Sequence, residues 1–173
     1  MNPLLPFYLG AGHDSRGRSL ADVLALSDEA LEDAHDYIQW LFPLFDRSAA
    51  VPSSPRLDES VVRSFRSDPV VRRNMRRALE TMLRFYGLEL RDIAAQPQVV
   101  RAANFAVRAP VWISPRNHNH YRLTRILKCL SIVSASELSR ALHKALLEIA
   151  AENPEAFSQE TLELWKASVA APE

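Results

Sequence analysis

The run Asp68-Pro69-Val70-Val71-Arg72-Arg73-Asn74-Met75-Arg76-Arg77-Ala78-Leu79-Glu80-Thr81-Met82-Leu83-Arg84-Phe85-Tyr86-Gly87 decides the fold class. Asp68 is suited to accept the first free N–H groups of a helix, and proline is tolerated at position 69 because an N–H there would have no intrahelical acceptor. Glycine readily takes the left-handed conformation that ends helices, so Gly87 reads as the stop. These signals predict a helix over 69–86.

The same grammar extends in both directions. Toward the N-terminus, Asp58 caps a short helix through Phe65, and 49–55, with two prolines and two serines, is a loop. Ser27 caps a helix over 29–42 that Pro43 ends, and a short helix covers 20–26. The first 18 residues hold three of the four glycines and read as an irregular opening loop. Toward the C-terminus, a helical piece spans 98–107 and a loop with two prolines spans 109–117. Asn117 caps a helix through about Val133, and helices follow over 136–151 and 158–170. No segment shows sustained two-residue alternation with β-branched enrichment. The expectation is an all-α fold: a compact single-domain bundle of seven or eight helices over residues 1–173, with 152–173 as a C-terminal helix.

Composition narrows the function classes. The chain has 173 residues, 47% of them apolar, enough for a packed core. No apolar run approaches the about 20 residues that span a bilayer, and the N-terminus has no basic start followed by a long apolar stretch. A single cysteine, Cys129, excludes an internal disulfide framework. The reading is an intracellular, cytoplasmic protein. Arginine outnumbers lysine 18 to 3, a bias that points to a GC-rich, bacterial genome.

Net charge is zero but unevenly spread. Residues 1–60 carry 4 basic and 10 acidic side chains, 61–128 carry 14 and 4, and 129–173 carry 3 and 7. Either the acidic ends neutralise the basic middle, or the middle presents a face to an anionic partner. A nucleic-acid role would rest on Arg72, Arg73, Arg76, Arg77 and Arg84. These wrap around several faces of one helix, and aromatic side chains for base stacking are scarce, which argues against nucleic acid.

Two segments carry polar groups at helical spacing. In 31–43, Leu31, Ala34, Ile38, Leu41 and Phe42 form one apolar stripe, flanked by Glu32, His35 and Gln39 with Asp36 just beyond. Trp40 points nearly opposite, toward either a second buried face or a ligand. In 117–127, Leu123, Ile126 and Leu127 share a face with Leu130, while His118, Arg122, Arg125 and Cys129 share the opposite one. Two arginines one turn apart near a helix N-terminus suit a carboxylate or phosphate. Alternatively they pair with Glu32, Asp36 or Asp14 and fasten helices together.

Other chemistries find less support. Gly10-Ala11-Gly12 lacks the third glycine of a dinucleotide fingerprint, and there is no P-loop or nucleophile elbow. Glu32-x-x-His35 matches one half of a di-iron carboxylate site, but no second pair exists. His118 and His120, two apart, point to different sides of a helix. No metal or other cofactor is expected. Cys129 reads as buried packing. Glu32, His35 or His118 can serve acid–base chemistry, yet nothing in their spacing demands it, and no catalytic residue is assigned.

The runs Glu32-x-x-His35-Asp36-Tyr37-Ile38-Gln39-Trp40-Leu41-Phe42-Pro43 and His118-Asn119-x-x-Arg122-x-Thr124-Arg125-Ile126-Leu127 resemble the conserved region of opioid growth factor receptors. Phe7-Tyr8 with Asp14-x-x-Gly17-Arg18 resembles its opening, and Met82-Leu83-x-Phe85-Tyr86-Gly87-Leu88 its middle. The resemblance covers roughly 5–150. Animal members are described as nucleus-associated receptors for met-enkephalin, with further C-terminal sequence. What it implies here is a helical fold and a site, without a defined ligand. The functional expectation is a ligand- or partner-binding module for a small anionic or peptide ligand. Its polar pocket would draw on Asp14 and Arg18, on Glu32, His35, Asp36, Gln39 and Trp40, and on His118, Asn119, Arg122 and Arg125. The alternatives are an enzyme using the same pocket and a nucleic-acid-associated protein.

Overall fold

The computed structural model describes residues 2–133 and 135–169. The backbone divides into two compact units, the first ending at Thr81 and the second beginning at Met82. Among the described residues there are ten helices and one two-stranded antiparallel sheet. The expected all-α bundle of seven or eight helices is therefore corrected.

The first unit holds α1 (Leu4–Tyr8), α2 (Leu20–Leu24), α3 (Asp28–Asp33), α4 (Ile38–Leu41), α5 (Glu59–Ser67) and the start of α6 (Pro69–Tyr86). Helix α1 lies inside the stretch expected to be irregular. Ser19 opens α2 with a capping box, its hydroxyl accepting from the Asp22 N–H while the Asp22 carboxylate accepts from the Ser19 N–H. The side chains of Ser27 and Asp58 accept from the Ala30 and Val61 N–H groups, capping α3 and α5 as expected. Leu4, Phe7, Tyr8, Leu31, Leu41 and Phe65 are fully or almost fully buried in this unit's core. The Tyr8 ring meets Phe65 at 4.6 Å, its hydroxyl donates to the Leu41 carbonyl, and the Asn74 amide donates to the Tyr8 carbonyl at 2.7 Å.

The helix expected over 29–42 is broken in two. Ala34 is extended (ψ 137°), and the chain re-enters helix only at Ile38. Three contacts hold the break: Asp36 pairs with Arg16 and Arg18, and the Tyr37 hydroxyl donates to the Leu31 carbonyl at 3.0 Å. The apolar stripe survives the interruption, because Leu31, Ile38, Leu41 and Phe42 are all buried.

The second unit begins in the last turns of α6. It continues through β1 (Leu88–Ile93), β2 (Gln96–Arg101), α7 (Phe105–Trp112), α8 (Asn119–Ile132), α9 (Ser136–Glu152) and α10 (Gln159–Val169). Helices α8, α9 and α10 pack on one another, and β2 lies on α9. The hairpin and α7 replace both the helix expected over 98–107 and the loop expected over 109–117. Pro110 sits inside α7. Beyond Val169, the C-terminal helix expected through residue 173 lies outside the described residues.

Gly87 ends α6 with φ +75°, and a Cβ there would lie 2.7 Å from the Phe105 Cα. Only glycine meets both demands. The hairpin turns through Ala94 and Ala95, both left-handed (φ 50° and 61°), the backbone of a type I′ turn built without asparagine or glycine. An L-alanine held there is strained by about 1–2 kcal/mol per residue. Replacing Ala94-Ala95 by Asn-Gly is therefore expected to stabilise the protein by about 1–2 kcal/mol, read as a higher urea midpoint with an unchanged m-value. An unchanged or lowered midpoint would contradict the turn assignment.

Candidate functional site

Site residues in the first unit gather around a short turn. Asp14 is buried, and its carboxylate accepts from the N–H groups of Arg16 and Arg18, both at 2.9 Å, and from the Arg18 Nε at 2.6 Å. Arg18 then reaches Asp36 at 3.1 Å, and Arg16 pairs with the other oxygen of Asp36. Burial works against the Arg18 charge, but hydrogen bonds to Asp14 and Asp36 outweigh it and hold the guanidinium above its ordinary value. The cluster thus binds two carboxylates with two arginines and ties 14–18 to the break at 34–37. Arg16 was absent from the residues selected by sequence. Its signal was available in Asp14-Ser15-Arg16-Gly17-Arg18, where 16 and 18 flank a left-handed glycine in a turn.

The remaining selected residues of this unit divide by exposure. His35 is exposed in the break and Glu32 is half-buried on α3. Gln39 and Trp40 are buried at 3% and 5% exposure. The Gln39 amide nitrogen donates to the Ser48 hydroxyl at 3.4 Å, while its oxygen and the Trp40 Nε1 have no hydrogen-bond partner among the described residues. Trp40 packs its ring 5.2 Å from that of Phe7 and belongs to the core face rather than to an open surface.

In the second unit, Asn117 caps α8 by accepting from the Asn119 N–H at 2.9 Å. His118 is exposed, Asn119 is fully buried, Arg122 is 6% exposed and Arg125 is half-buried. Arg122 Nη1 donates to the Asn119 Oδ1 at 3.1 Å. A guanidinium that deep must have its donors satisfied, because an unsatisfied buried charge is expensive. Cys129 is buried, which pushes its thiol above the ordinary range and keeps it protonated.

His120, which the sequence did not single out, proves central to packing. Its ring stacks 4.8 Å from Phe157 and 6.0 Å from Trp165, and its Nε2–H donates to the Trp112 carbonyl at 2.9 Å. The Trp165 indole donates to the His120 carbonyl at 3.4 Å. A carbonyl only accepts, so the ring is the Nε2–H tautomer. Among the described residues no group of three acidic, histidine or cysteine side chains is placed to hold a metal ion, and no helix is long and apolar enough to cross a membrane.

The opioid growth factor receptor conserved region matches residues 20–171, and the chain belongs to that family. The opioid growth factor receptor of Mus musculus is 38% identical over 120 residues, covering 69% of this chain and 18% of that protein. The Homo sapiens receptor gives 38% over 120 residues, with 69% and 17% covered. Opioid growth factor receptor-like protein 1 of Mus musculus gives 33% over 125 residues, with 69% and 26% covered. The chain spans about a quarter or less of the length of these curated relatives. No solved structure matches it.

Burial depresses the His120 pKa below its ordinary 6.5, with a smaller push from His118 and an opposing pull from the Trp112 carbonyl. The folded protein then binds this proton more weakly than the unfolded chain does. The neutral ring's contribution is complete above pH 6.5 and is lost as the pH falls below 6.5 through the depressed folded value. Wild-type unfolding free energy is expected to drop between pH 7 and 5. His120→Gln should flatten that slope, leaving a residue from His143, whose pKa burial also lowers. Equal slopes in the two proteins would contradict the assignment.

Proposed function

We propose that this chain is a binding module for a small anionic ligand, the carboxylate of a short peptide being the best candidate. Its contacts come from the polar residues at the start of α8. The observation that carries the reading is that this run buries polar groups instead of presenting them all: Asn119 and Arg122 are each at most 6% exposed. A fold that needed only packing would be as stable with apolar residues at such positions. Membership of a family whose relatives are named as receptors supports a binding role over catalysis.

The two arginines of α8 divide the work. Arg122 is internal, bonded to Asn119, and orients the start of the helix. Arg125, half-buried one turn on, and the exposed His118 are the side chains of this face that a ligand in solvent reaches. In the first unit, Arg16 and His35 are exposed beside Asp36.

A thermal-shift titration tests this with inorganic phosphate, a pentapeptide with a free C-terminal carboxylate, and the same peptide amidated. At ligand concentrations 10–100 times Kd, binding to the folded state stabilises by roughly 1–3 kcal/mol. The carboxylate peptide is expected to raise the wild-type Tm and the amidated one to do so less. Arg125→Ala should lose the response, measured relative to its own unliganded Tm. Arg122→Ala should lose about 1–3 kcal/mol of stability, because the buried Asn119 oxygen loses the Arg122 hydrogen bond. No shift with any of the three ligands, or equal shifts in wild type and Arg125→Ala, would overturn the reading.

A further inference from the structure

We infer that strand β1 is an interface between two copies of this chain, which pair antiparallel about Leu90. The hairpin register sets out which backbone groups are already used. Leu88 faces Arg101 and Ile93 faces Gln96, and the Ala102 N–H donates to the Gly87 carbonyl at 2.9 Å. Bonded and non-bonded pairs alternate along an antiparallel ladder. Residues 89, 91 and 93 therefore point their N–H and C=O groups at β2, and residues 88, 90 and 92 point theirs away from it. On β2 the outward residues are 97, 99 and 101.

The two edges differ. On β2, position 97 is proline, which has no N–H to offer, and the strand lies on α9. Both features blunt an edge. Strand β1 has neither, and among the described elements it packs substantially only on β2. Its outer half is exposed, including Ile93 at 44%.

The side chains select the occupant. Leu88 is 2% exposed and already covered, so an antiparallel partner exchanges hydrogen bonds at Leu90, and only in registers that bring outward groups face to face. For a second copy, the central choices put the two-fold axis at Glu89, Leu90 or Arg91. An axis at Glu89 opposes two glutamates, and one at Arg91 opposes two arginines. With the axis at Leu90, Glu89 of each copy faces Arg91 of the other, twice, in the closely spaced non-bonded positions, and Leu90 meets Leu90. Both charged side chains are available, with 39% of the Glu89 and 60% of the Arg91 side chain exposed. They already pair with one another within the chain, so forming the intermolecular pairs exchanges partners instead of desolvating new charges. The β1 edge is self-complementary in both backbone and charge.

Sedimentation velocity of the full chain over a wide concentration range tests this, with near-native circular dichroism and Tm required of each variant. The wild type is expected to move from 19.5 kDa toward twice that mass as concentration rises. Glu89→Arg, which opposes arginines across the axis, should weaken self-association by at least about tenfold. The double variant Glu89→Arg/Arg91→Glu should restore it, because the swapped charges pair again. Leu90→Pro removes the outward N–H at the axis, as Pro97 does on β2, and should leave a monomer. A wild type that stays at 19.5 kDa at all concentrations overturns the proposal. So does a dimer that is indifferent to Glu89→Arg and Leu90→Pro.

Discussion

A helix that ends inside a protein leaves carbonyls that must find donors, and the second unit is organised by how α6 meets that demand. Arg108 Nε donates to the Phe85 carbonyl at 2.7 Å, and Trp112 Nε1 donates to the Tyr86 carbonyl at 3.0 Å. Both donors lie on α7, so closing the end of α6 fixes where α7 sits. The Gly87 carbonyl takes the Ala102 N–H and thereby sets the hairpin register. From Trp112 the chain of contacts continues through its carbonyl to His120, and from His120 to Phe157 and Trp165. One helix terminus thus passes its geometry to α8 and α10 through a relay of polar groups on aromatic bodies. Trp112, His120 and Trp165 are accordingly buried with their polar ends bonded.

The first unit uses charge for a comparable purpose. Asp14, Arg18 and Asp36 form a line of alternating sign, and Arg16 closes it from the solvent side. A buried carboxylate such as Asp14 is tolerable only because two N–H groups and a guanidinium converge on it. The same line pins the turn between α3 and α4, so the backbone break and the ion cluster are one feature.

What could be read beforehand follows the range of the physics involved. Ser27, Asp58, Asp68-Pro69 and Gly87 act within one turn, and each marked its helix end correctly. The hairpin was hidden because its turn is Ala94-Ala95, with none of the residues that favour φ above zero, and because alternation is brief and β2 carries Pro97. The break at 34–37 was hidden for a different reason. The apolar stripe keeps helical period across it, while the groups that enforce it, Arg16 and Arg18, lie far back in the chain. In the site, the run 117–120 reads as uniformly polar, yet Asn119 and His120 are buried and His118 is exposed, and for His120 the partners that decide it lie on α7 and α10. Trp40 is buried beside the Phe7 ring.

The aromatic relay also has an optical consequence. Each of the three tryptophans is buried, Trp40 in the first unit and Trp112 and Trp165 in the second. Trp165 lies edge-on to His120, a ring that quenches indole emission when it carries a proton, while Trp40 has the Phe7 ring as its neighbour. Emission from the folded protein is accordingly a sum over three reporters, of which Trp165 alone lies edge-on to His120. Excited-state lifetimes of single-tryptophan variants would let the melting of each unit be followed separately, without any added label.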